Sequence, residues 1–174
     1  MSAAALPPWP EVDFAAFGEV EVQPLSRLQG LAAGFLSRNW VTIPHVTHHD
    51  DVDTTALDEL RCTLEDKPSL LAFFAKARGR GLPLAEMEGG CMSISSLGGV
   101  GGTAFTPIVN APEVAILGIT KAQWKPGRGP NDAIEWRLKT PLSLSYDHRV
   151  INGADAARFL RHLDDVLARP AALL

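Results

Sequence analysis

The sequence predicts an α/β sandwich in which helices pack on a mixed sheet. Three observations carry that expectation. Apolar residues recur at helical spacing over Ser26–Trp40 and again over Ala156–Leu167. Strand-like runs stand at Val46–Val52, Cys91–Ser96, Val114–Lys121 and Ile134–Tyr146. Those runs lie far apart along the chain, so their sheet has to be built from non-local pairings. With 174 residues, the chain is long enough for one domain around one core.

Each element has a local reason. Ala3–Pro10 ends in AALPPWP, whose Pro and Ala suit a stiff linker or surface arm, which leaves residues 11–174 for the folded domain. Ser26 can cap a helix carrying Leu28, Leu31, Phe35 and Leu36, and Pro44 stops it. Asp53 or Thr54 can cap a second helix over Ala56–Leu64. A third apolar run, Ser69–Ala77, reads as helical until Gly79 and Gly81 break it. Leu97–Thr103 is a glycine-rich loop, and Lys125–Asp132, KPGRGPND, reads as turn. The last helix has Ala156, Phe159, Leu160, Leu163, Val166 and Leu167 on one face, opposite Arg158, Arg161, Asp164 and Asp165.

Bulk properties exclude several classes. The hydrophobic share of 46% and charged share of 21% are those of a globular chain rather than a disordered one. The net charge of −4, with no Lys/Arg run, argues against nucleic acid and against an anionic membrane surface. No apolar stretch is long enough to span a bilayer. Cys62 and Cys91 form no CxxC pair, so a reducing, cytoplasm-like compartment is expected. Met1–Pro10 lacks the pattern of a signal peptide.

Several residues invite chemistry. Pro141–Phe159, PLSLSYDHRVINGADAARF, reads as a strand, a tight loop at His148–Gly153 and a helix. A histidine at a strand end can face a cleft and exchange a proton near neutral pH, although a lone histidine is more often structural. Asn152 before Gly153 is a turn pair, and Arg149 reads as an ion-pair residue with Asp147 as a possible partner. Ser93, Ser95 and Ser96 each read as strand serines bonded to backbone. Gly98–Gly102 lacks the GK[ST] ending of a phosphate loop, and its glycines fit a close turn. His45, His48, His49, Asp50, Asp51 and Asp53 look metal-friendly, but strand alternation sends neighbours to opposite faces, so no metal is expected. Glu86 and Glu88 read as surface charges.

Three ordered blocks resemble one family. DHRVINGADAARF is similar to the active-site motif of the dihydrolipoamide acyltransferases, the E2 components of 2-oxo-acid dehydrogenase complexes, many of which carry Asp at the position of Asn152. Gly89–Thr120, GGCMSISSLGGVGGTAFTPIVNAPEVAILGIT, resembles that family's second signature, and Trp40–Leu60 its PHVT strand-to-helix region. The resemblance implies a fold like chloramphenicol acetyltransferase and a homotrimer whose active site lies between subunits. It implies coenzyme A and a lipoyl group as the thiol partners, entering a channel from opposite ends. His148 would be the general base. Ser95 would donate to the oxyanion. Asn152 would support the histidine loop or assist the same charge. Arg38 would approach the coenzyme A phosphates. His148 and Ser95 would come from different subunits.

The block GGTAFTPIVNAPEVAILG is most similar to pyruvate-type members, which implies acetyl transfer in a bacterial cytoplasm or a mitochondrial matrix. Two departures accompany the resemblance. Between Ala77 and Arg78 a long family stretch with a DTPxGL-like element is missing, and no lipoyl or peripheral-subunit-binding domain is read in these residues. The family's E1 and E3 partners would be reached through such domains. Ala171–Leu174 resembles the apolar tail that joins trimers into larger cores. The missing stretch keeps open a structural core subunit without catalysis, and the shared fold keeps open an antibiotic-type acetyltransferase.

Overall fold

The computed structural model describes residue 8 and residues 10–71 and 89–170. After a short 3-10 turn at Phe14–Phe17, the elements are α1 (Arg27–Thr42), β1 (His45–Asp53), α2 (Thr55–Thr63), β2 (Met92–Ser96), β3 (Ala115–Ile119), β4 (Gln123–Arg128), β5 (Ile134–Asp147) and α3 (Gly153–Leu167). Ser26 caps α1 as expected, in a reciprocal box with Gln29. Asp53, rather than Thr54, serves the start of α2: its carboxylate accepts from the Thr55 backbone N–H at 3.0 Å and from the Thr55 hydroxyl at 2.7 Å.

The sheet runs β1-β5-β3-β2, with β4 pairing the outer part of β5. β2 and β3 are parallel, and the other pairings are antiparallel, so the sheet is mixed. β5 organises it, because its 14 residues reach β1, β3 and β4. Alternation along β5 sends Leu142, Leu144 and Tyr146 to one face, where they pack with Leu57 of α2 and with Ala156, Leu160 and Leu167 of α3. Leu57 and Leu160 are fully buried, worth about 2 kcal/mol each in apolar burial. Ser143 and Ser145, also buried, face the other way.

One expectation needs correction. Lys125–Arg128 is not turn: it belongs to β4, in register with Ile134–Arg137, and only Gly129–Ala133 reverse the chain. Pro126 and Gly127 are tolerated because β4 has one paired edge, so the missing proline donor costs no ladder bond. The α1 apolar stripe also differs from a core-facing one. Leu28, Leu31, Phe35 and Leu36 are all exposed, and Asn39 is the buried residue of the helix. Leu70 and Leu71 begin the third helical run. The rest of that run, Gly79, Gly81, Glu86, Glu88 and Ala171–Leu174 lie outside the described residues. Among the described residues, no helix is long and apolar enough to cross a membrane.

Candidate active site

β5 ends at Asp147, and the chain turns at once. The Val150 and Ile151 backbone N–H groups both donate to the Asp147 carbonyl at 3.0 Å. The Asp147 carboxylate, nearly buried, is gripped by Arg149. The Arg149 backbone N–H donates at 3.0 Å, its Nε at 2.9 Å and its Nη2 at 2.6 Å. Those side-chain hydrogen bonds from Arg149, first among the causes, hold the Asp147 carboxyl below its ordinary pKa. The pair closes the turn over itself and presents His148 outward.

His148 is held by its backbone and free at its ring. Its N–H donates to the Pro44 carbonyl at 3.1 Å. The exposed imidazole lies against Tyr146, with ring centroids 5.9 Å apart, and neither ring nitrogen has a hydrogen-bond partner among the described residues. Asn152 caps α3: its Oδ1 accepts from the Asp155 N–H at 3.0 Å, and its Nδ2 donates to the Asp155 carboxylate at 2.6 Å. The amide is therefore spent on the helix that ends the histidine loop.

The three serines of β2 differ. Met92 and Ile94 pack on the core cluster, so Ser93 and Ser95 face the opposite side of the sheet. Ser93 donates to Glu113 at 2.6 Å, and the Ser96 hydroxyl accepts from the Gly98 N–H at 3.3 Å. Ser95 has no hydrogen-bond partner among the described residues and is half-buried. It stands in register with Gly118 and, through it, Ser143. From that row, His148 is five residues along β5, roughly 16 Å, and two strands across, roughly 10 Å. One chain therefore does not bring Ser95 and His148 together.

Arg38 projects from α1, with its Nη2 donating to Asn39 Oδ1 at 3.1 Å and its guanidinium 5.3 Å from the Phe35 ring centroid. Basic side chains also gather at a second place, where Arg61 is paired with Asp58 at 2.6 Å. A cavity of about 550 Å³ opens on the helix face, lined by Arg61, Ser96, Thr120, Lys121, Trp124 and Leu138 among others. The Thr120 hydroxyl is buried there without a hydrogen-bond partner among the described residues. Sequence reasoning passed over this group, since Arg61 comes from α2 and Lys121 from the β3–β4 link, and no local pattern joins them. The His/Asp run of β1 is split as alternation requires. His49 Nδ1 meets the Ser143 hydroxyl at 2.9 Å on one face, and Asp50 pairs with Arg161 at 3.7 Å on the other. Among the described residues, no group of three His, Cys, Asp or Glu side chains is placed to hold a metal ion.

Known proteins share this arrangement. The family model "2-oxoacid dehydrogenases acyltransferase (catalytic domain)" matches residues 69–174. The dihydrolipoyllysine-residue acetyltransferase component of pyruvate dehydrogenase complex from Cupriavidus necator is 37% identical over 233 positions, covering 92% of this chain and 42% of that protein. Its Pseudomonas aeruginosa counterpart is 37% identical over 245 positions, covering 98% and 45%. The chain thus spans under half the length of these relatives. An alignment of 245 positions against 174 residues also leaves part of the relative's domain without a counterpart here.

The Azotobacter vinelandii dihydrolipoamide acetyltransferase (E2p), solved to investigate a serine, a histidine and an asparagine in its catalytic mechanism, superposes with a TM-score of 0.84. It is 36% identical, over 97% of this chain and 99% of that one. Its histidine and asparagine are four positions apart, as are His148 and Asn152. Its serine precedes the histidine by 52 positions, whereas here Ser96 has that spacing and Ser95 stands one further, so the choice rests on what each hydroxyl touches. With well over half of its residues matched by the family model, the chain belongs to the 2-oxoacid dehydrogenase acyltransferase (catalytic domain) family.

Proposed function

We propose that this chain transfers an acetyl group between a dihydrolipoyl thiol and coenzyme A, as the catalytic domain of a pyruvate-type core component. One observation carries the reading: among the described residues, the side chains of His148 and Ser95 have no hydrogen-bond partner at the motif positions, on a fold shared with the Azotobacter acetyltransferase. His148 takes the proton of the attacking thiol, making the thiolate that is the competent nucleophile. The hydroxyl of Ser95 donates to the oxyanion formed on the thioester carbonyl. His148 then returns its proton to the departing thiolate. The acyl group moves from one sulfur to the other, with no net change in protons.

The separation of Ser95 from His148 within one chain supports a composite site, with His148 supplied by a neighbouring copy in a trimer. Coenzyme A would reach the Ser95 side of the sheet, because the cavity lined by Arg61 and Lys121 opens on the helix face, where Asp58 already holds Arg61 at 2.6 Å. A lipoyl domain would bring the second thiol, and E1 and E3 would be the partner enzymes of the complex. Exposed free thiols at Cys62 and Cys91 fit a reducing cytoplasm.

A second reading, a structural core subunit without catalysis, is favoured by the shortened middle alone. The deciding experiment is acetyl transfer from acetyl-CoA to dihydrolipoamide by the purified chain, with His148→Ala as control. The expected result is measurable transfer that falls by about 10²–10⁴-fold in the variant while the assembly keeps its size. No transfer by a well-folded assembly would select the structural reading.

A further inference from the structure

His45 stands at the start of β1, outside the motif that carries His148, and its ring is tied at both nitrogens. Nδ1 lies 2.8 Å from the Ile43 carbonyl oxygen, and Nε2 lies 3.0 Å from the Val109 backbone nitrogen. Chemistry decides the protons. A carbonyl can only accept, so Nδ1 carries hydrogen. A backbone N–H can only donate, so Nε2 is bare. The ring is therefore the neutral Nδ1–H tautomer, with Trp40 stacked on it at 5.5 Å and Asp147 opposite it in the β1–β5 register.

These bonds meet the backbone that carries the reactive histidine. Ile43 precedes Pro44, whose carbonyl accepts the His148 N–H. Val109, fully buried, anchors the segment leading to Val114, whose carbonyl accepts the Asp147 N–H at 2.9 Å. His148 thus hangs between two strips of chain, and the His45 ring is the side-chain bridge between them. We propose that His45 is a positioning residue for acyl transfer, locking Ile43–Pro44 to the 103–113 loop and so fixing the backbone from which His148 projects. This rests on the acyltransferase reading for its rate, but not for its geometry.

Two variants test it. His45→Phe keeps the ring against Trp40 and removes both hydrogen bonds. His45→Gln keeps an acceptor and a donor on one amide. The expected result is a kcat for acetyl transfer lowered roughly 10- to 100-fold in His45→Phe, the scale of a small misplacement. The KM for both substrates should stay unchanged, and His45→Gln should recover much of the loss. Unchanged kcat in His45→Phe overturns the inference. So does parallel loss of kcat, substrate binding and melting temperature without recovery in His45→Gln, which would mark a general structural role. If the wild-type chain transfers nothing, the acyltransferase reading fails and the inference is decided by carbethoxylation of His148, followed by mass spectrometry. A rate altered in His45→Phe and restored in His45→Gln supports it, and equal rates in all three proteins overturn it.

Discussion

Ser93, Ser95 and Ser96 share one strand, yet their hydroxyls have different fates. Ser93 is bound to Glu113, Ser96 is used by the turn at Gly98, and Ser95 has no hydrogen-bond partner among the described residues. Removing the free hydroxyl should matter most. Ser95→Ala is expected to lower kcat by about 10²–10³-fold, the cost of one oxyanion donor, with the KM for acetyl-CoA little changed. Ser96→Ala should stay near wild type, although its spacing from His148 matches the Azotobacter enzyme. Steady-state kinetics of the two variants side by side checks the assignment, and a larger loss in Ser96→Ala would transfer the role to that residue.

At the scale of elements, the face of the sheet away from the helices is covered by loop rather than helix. The Phe105 ring lies over β3 at Gly118, where a Cβ would sit 2.5 Å from the Phe105 Cζ. The glycine is thus required by close approach and not by its dihedral angles. Gly118→Ala should push Phe105 off the sheet and cost about 1–3 kcal/mol of stability. Adding Phe105→Leu should recover part of it, as read by denaturant unfolding of single and double variants. The loop matters to the site because the Phe105 backbone N–H also donates to the buried Ser143 hydroxyl at 3.4 Å, which holds His49 in turn. Wild-type stability in Gly118→Ala would show that Phe105 does not need its perch.

At the scale of the whole molecule, the exposed apolar surface is concentrated in the N-terminal part. Phe14, Phe17, Val20 and Val22 precede α1, and Leu28, Leu31, Phe35, Leu36 and Trp40 run along it, all exposed. A patch of this kind marks a partner surface. The proposed trimer gives it an occupant and would let His148 of one copy approach Ser95 of the next. The double substitution Leu31→Glu with Phe35→Glu is expected to convert the assembly to monomers by sedimentation velocity, with helix content kept by circular dichroism. Transfer activity should be lost with the assembly. An active monomer would refute the composite site.

The local elements were legible in the sequence because their causes are local. Ser26 announces α1, the apolar stripe from Ala156 to Leu167 announces α3, and Asp147–Gly153 announces a tight loop with a histidine in it. Family resemblance in three ordered blocks pointed to His148 and Ser95. Tertiary structure decided the rest, because each remaining feature depends on which groups the folded chain brings within reach. The β4–β5 hairpin forms in spite of Pro126 and Gly127, since an edge partner supplies what propensity withholds. The α1 stripe has the period of a core face, and only the exposure of Leu28, Leu31, Phe35 and Leu36 among the described residues shows that it faces outward. Arg61 and Lys121 meet at one cavity only because α2 and the β3–β4 link fold to the same end of the sheet. The bond between Arg149 and Asp147, the cap made by Asn152 and the tautomer of His45 follow from which polar groups lie within hydrogen-bond reach, and reach is a property of the folded chain.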